Sequence, residues 1–110
     1  MCSSDLLTVN YSAAGNQSIF AGTYGAINTN GSGTKTFLGA QTVNGNIKIG
    51  NGTTLDAGSF SSSLKGDWNN SGTFTASTST IQFNGTSAQN IIGTSSSTFN
   101  NLTKIGRAHV

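Results

Sequence analysis

The chain has 110 residues, a formal net charge of +2, charged side chains at only 7% of positions, fifteen glycines and no proline. So small a charge, spread without a basic cluster, excludes a protein that holds nucleic acid or an anionic membrane by electrostatics. No apolar run approaches the ~18 residues of a membrane helix, so no membrane insertion by this segment is expected.

The two ends have to be set aside first. Ile105-Gly106-Arg107-Ala108-His109-Val110 can be encoded by ATC GGA AGA GCA CAC GTC, the start of a sequencing-library adapter. The reverse complement of that adapter, read from a GTG start, gives Met1-Cys2-Ser3-Ser4-Asp5-Leu6. Like a fusion scar, such residues carry no information about the fold. They take with them the only Met, Cys, His and Arg of the chain (Met1, Cys2, His109 and Arg107) together with Asp5. The expected organisation is residues 1–6 adapter-derived, 7–104 a natural repeat region, and 105–110 adapter-derived, the natural part being a slice of a longer reading frame. Its lack of Cys fits a bacterial protein of the cell surface or the extracellular space.

In chain order, Leu7-Thr8-Val9-Asn10-Tyr11 opens a unit that begins again, at an offset of 72, with Ser79-Thr80-Ile81-Gln82-Phe83. Gln17-Ser18-Ile19 matches Gln89-Asn90-Ile91 at the same offset, and Thr23 to Asn28 matches Thr98 to Thr103 at 75. The sequence therefore holds one unit, recurring at 72–75, and the start of the next. Asn30-Gly31, Asn44-Gly45, Asn51-Gly52 and Asn84-Gly85 mark corners. Between them Ile47-Lys48-Ile49, Thr73-Phe74-Thr75 and Thr80-Ile81-Gln82-Phe83 alternate apolar with polar, as half-buried strands do. Within the unit, Ile49 to Ala57 aligns with Trp68 to Ala76 at an offset of 19. A period of about 20 residues is one coil of a solenoid.

The fold expected is all-β, a parallel β-solenoid (β-helix) fragment of about five coils. Asn-Gly also favours hairpins, so the alternative is an antiparallel β-sandwich. A short repeat running forward along the chain favours coils stacked in register. On that register Ile49 lies under Trp68 and Leu55 under Phe74, Asn51 and Asn70 form a ladder, and Lys48 and Asp67 point outward side by side. Tyr11, Tyr24, Phe37, Phe74, Phe83 and Phe99 read as core fillers, as does Trp68, whose indole N–H needs an acceptor such as a carbonyl.

Val43 to Gly58, Gly66 to Ala76 and Phe83 to Ile91 resemble the repeats of very large secreted β-strand-repeat proteins of Gram-negative bacteria, broadly filamentous-haemagglutinin-like or adhesin-like. The resemblance spans nearly all of Leu7 to Lys104. It implies a non-catalytic structural or display segment of a secreted or surface-attached protein, an adhesin or stalk. Its partners would be adjacent repeats of the same chain, surface glycans, or host and environmental surfaces. It brings no catalytic motif.

The residues themselves supply no catalytic, cofactor-binding or metal site. Asp56 and Asp67 are the only natural carboxylates, and the short-period register sets them in different columns, opposite Thr75 and Lys48. Polysaccharide-degrading β-helices need clustered acids, so an enzyme fragment with its active site elsewhere is the alternative function. Calcium-binding repeats would need regularly recurring Gly and Asp. Thr34-Lys35-Thr36, Thr73-Phe74-Thr75 and Thr78-Ser79-Thr80 suggest an ice-binding solenoid as a remote alternative, but in sequence they do not recur once per coil. The Asn-x-Ser/Thr sequons, at Asn51, Asn84 and Asn101 among others, follow from composition. Open coils at both ends, with unpaired strand edges, are expected to make the isolated chain prone to association.

Overall fold

A computed structural model describes residues 8–85 and 89–104; residues 1–6 and 105–110, expected from the sequence to be adapter-derived, lie outside them. The described chain is a succession of short strands wound into about five coils, three strands to a coil. Face 1 stacks β1 (Thr8–Tyr11), β4 (Ala26–Thr29), β7 (Ile47–Ile49), β10 (Trp68–Asn70) and β13 (Ile91–Ile92). Face 2 stacks β2 (Gln17–Ile19), β5 (Gly33–Phe37), β8 (Thr53–Asp56) and β11 (Thr73–Thr75). Face 3 stacks β3 (Gly22–Tyr24), β6 (Gln41–Val43), β9 (Ser61–Leu64), β12 (Thr80–Phe83) and β14 (Asn101–Lys104). Every strand pairing described is parallel, which overturns the antiparallel sandwich and leaves the parallel β-solenoid.

Alternation along each strand sends one side chain in and the next out. Stacking then turns these into columns. Face 1 contributes Val9, Ile27, Ile47, Trp68 and Ile91 to the interior, face 2 contributes Leu55 on Phe74, and face 3 contributes Val43, Leu64 and Phe83. Trp68, Phe37, Phe74 and Phe83 are buried, while Tyr11, Tyr24 and Phe99 pack against the core from partly exposed positions. The Trp68 ring meets Phe74 edge-on with centroids 4.7 Å apart, and Phe99 lies 5.1 Å away. Such edge contacts each contribute about 0.5–1.5 kcal/mol beyond the area they bury. The indole N–H donates to the Ser97 hydroxyl at 2.9 Å rather than to a carbonyl.

The register differs from the sequence reading on one face. Phe74 does lie on Leu55 and Thr75 on Asp56, at the expected offset of 19. On face 1 the offset is 21: Trp68 stacks on Ile47, Asn69 on Lys48, and Asn70 on Ile49. The reason is the corner between the two faces. Five residues separate Ile49 from Leu55 but only three separate Asn70 from Phe74. The longer corner, Gly50-Asn51-Gly52, turns at Gly52 with φ +88°, a left-handed conformation that glycine adopts without strain. Asn51 therefore sits in a turn and forms no ladder with Asn70. Lys48 faces Asn69 instead of Asp67.

A second corner depends on close approach rather than on φ. A Cβ on Gly66 would strike the carbonyl of Gly45 and the side chain of Asn46, and one on Gly45 would strike the carbonyl of Gly25. Three glycines in one column let the backbone stack tightly just before face 1. The similarity at an offset of 72 also takes a definite place in the coil. It carries β1 of face 1 onto β12 of face 3, and β2 of face 2 onto β13 of face 1, eleven strands on. Ala26 to Asn28 of face 1, at the offset of 75, lands on β14 of face 3. Eleven strands at three to a coil make three and two-thirds coils.

Candidate functional site

The outer side of face 1 carries an open groove of about 240 Å³. Its walls are two outward columns that strand alternation places on either side of the Ile27–Ile47–Trp68 row. One column runs Thr8, Ala26, Asn46, Asp67; the other runs Asn28, Lys48, Asn69, Ile92. Lys48 and Asp67, expected to stand side by side, thus share the groove on a diagonal.

The first column is held by side-chain bonds from coil to coil. Asn46 Oδ1 accepts the backbone N–H of Asp67 at 2.7 Å, and Asp67 Oδ1 accepts that of Asn90 at 3.0 Å. Each of these two side chains is therefore oriented through one of its oxygens. The second column begins in an amide ladder, where Asn28 Nδ2 donates to Asn10 Oδ1 at 3.0 Å. Further along it, Asn69 Oδ1 is buried from solvent with no hydrogen-bond partner among the described residues. An unmatched buried acceptor costs about 1–3 kcal/mol.

Asp56 lies on face 2 and Asp67 at the edge of face 1. Asp56 Oδ1 accepts from the Gly58 N–H at 2.9 Å and from the Ser77 hydroxyl at 3.1 Å, the bonding of a corner-stabilising residue. Among the described residues no three His, Cys, Asp or Glu side chains gather where a metal could be held. No helix of the described residues is long and apolar enough to cross a membrane.

Two features of the side chains are not readable from residue type. Lys35 points inward, in the same column as Leu55 and Phe74, and has no exposed surface. Its ammonium donates to the carbonyls of Ala13 and Gly15, both at 2.8 Å, and burial pushes its pKa below the ordinary lysine value. Around it, outward threonines form rows. Thr34, Thr54 and Thr73 stack in one, and Ser18, Thr36, Asp56 and Thr75 in the next. Two of the Thr-x-Thr triplets thus fall on face 2 with Thr54-Leu55-Asp56 on the level between them, a regularity that unequal corners hide in the sequence. The third, Thr78 to Thr80, belongs to the turn into face 3.

Comparison with protein-family models, with curated proteins and with solved structures finds no match to this chain.

Proposed function

We propose that this chain is a non-catalytic structural and display segment of a secreted or cell-surface bacterial repeat protein, an adhesin or stalk. The observation that carries the reading is the in-register parallel stack. One interior column after another continues from coil to coil, and the described acids lie apart on different faces. A solenoid in which each coil rests on its neighbours makes a stiff spacer whose lateral faces are available for contact. The low charge and the Thr, Ser and Asn flanks suit such a rod.

The test is to sequence the source reading frame through both adapter junctions. Tandem copies of the long unit between a secretion signal and a surface-sorting terminus are the expected result. A single solenoid with acidic and basic residues clustered on one face would replace the reading with a polysaccharide-degrading enzyme.

A second reading, ice binding, has the threonine rows of face 2 in its favour. The hydroxyls of Thr34, Thr54 and Thr73 repeat about every 4.8 Å along the axis, as parallel strands do, and Asp56 interrupts the neighbouring row. If they order water against ice, the chain lowers the freezing point below the melting point, and Thr54→Lys in the middle of the rows abolishes the gap. Equal freezing and melting points for the unmodified chain would end this reading.

A further inference from the structure

We infer that the groove on face 1 binds a neutral, extended polysaccharide chain lying along the rod axis; this deepens the reading of the chain as a display segment and rests on it.

Two observations point to this class of ligand. The first is the balance of charge. One ammonium, Lys48, and one carboxylate, Asp67, face the groove together with three carboxamides, Asn28, Asn46 and Asn69. A polyanion would meet one cation offset by one carboxylate, whereas a sugar hydroxyl, both donor and acceptor, matches every one of these groups. The second is preorganisation. The bonds from Asn46 to the Asp67 N–H and from Asp67 to the Asn90 N–H fix two side chains before any ligand arrives, and Asn28 is fixed through Asn10. Ordering costs on binding fall accordingly.

The shape gives the direction. Both columns run across the strands of face 1, so the groove follows the rod axis. The five strands of this face span roughly 19 Å at ~4.8 Å per step. Polar partners then recur at the levels of β1, β4, β7 and β10, as suits a ligand that is itself a linear repeat. Ala26 and Ile92 supply small apolar surfaces for the C–H faces of sugar rings.

The experiment is co-sedimentation of the full chain with insoluble cellulose, chitin, β-1,3-glucan and mannan, and with calcium-gelled polygalacturonate as the acidic comparison. Retention on at least one neutral polymer is expected. Asn69→Ala and Lys48→Ala should each weaken it about tenfold, the loss of one good hydrogen-bonding contact at ~1.4 kcal/mol per decade, while Thr73→Ala on face 2 leaves it unchanged. Circular dichroism on each variant separates lost binding from lost fold. No retention on any of the neutral polymers overturns the inference, as does retention on polygalacturonate alone, or retention indifferent to Asn69 and Lys48. The reading beneath it fails differently: release of new reducing ends from a bound polymer would make the chain catalytic, even with the groove confirmed.

Discussion

At the scale of single residues, Lys35 has the most to say about stability. Its aliphatic stem replaces a core side chain, and its ammonium ties down two carbonyls of the Ala13–Gly15 corner. Because burial lowers its pKa in the folded chain, the unfolded chain binds its proton more tightly, with an ordinary value of 10.5. Between the lowered folded value and 10.5 the unfolded state holds more protons, so stability rises with pH through that interval and is least below it. Tyr11 acts in the opposite sense and higher up. Burial, then the neighbouring Tyr24 hydroxyl, raises its phenol well above the ordinary 10.0, so the unfolded chain loses that proton first and stability falls as pH passes 10.0. Urea unfolding followed below pH 10.0, before the Tyr11 contribution sets in, tests the lysine. The midpoint should climb with pH in the unmodified chain and stay flat in Lys35→Met. A slope that survives the substitution would assign it to another group. The alternating pattern of Thr34-Lys35-Thr36 gives no sign of an inward cation, because a lysine between two threonines usually marks an outward face. Its burial follows only from the coil alignment with Leu55. Trp68, by contrast, is legible as core from its size and spacing alone; what its spacing hides is its partner, Ile47 in place of Ile49.

At the scale of elements, the strands are readable in the sequence and the corners are not. Ile47 to Ile49, Thr73 to Thr75 and Thr80 to Phe83 alternate cleanly and are strands. Their pairing depends on how many residues each corner spends, and corner length leaves no hydrophobic signature. Hence the offset of 19 is right where β8 meets β11 and two short where β7 meets β10. The same limit applies to the groove: the column Asn46–Asp67–Asn90 exists only at the true register. Because the offset of 19 sets Lys48 against Asp67, the two look like a surface ion pair and not like parts of a shared wall. The stacked glycines that precede face 1 give this scale its test. Gly66→Ala forces a methyl against the Gly45 carbonyl and the Asn46 side chain. The expected cost is about 1–3 kcal/mol, as for other forced overpacking. Urea denaturation measures it. A variant as stable as the parent would show that the corner has room to relax, and that tight glycine stacking does not set the spacing there.

At the scale of the molecule, a stack of similar coils should accept another. Duplicating Gly45 to Lys65 in tandem inserts one full coil, because the length of that segment is the spacing that carries Gly45 to Gly66 and Ile47 to Trp68. The insert brings one strand to each face and leaves every column continuous. In a nearest-neighbour stack each added coil adds its own interface, so the longer chain should keep its β-sheet circular dichroism and melt no lower than the parent. Insertion of only the first half of that segment would break the register on at least one face and should lower the melting temperature or abolish folding. Equal tolerance of both insertions would contradict a register-locked solenoid. The long similarity within the chain adds a different kind of length. Advancing by three and two-thirds coils, a copy of the unit returns on a neighbouring side of the rod and not above its original. Copies laid end to end would set each feature along a spiral, like lamps on a turning stair, and regain the starting direction only after three. A filament made this way has no front or back, and whatever it grips can approach from any side.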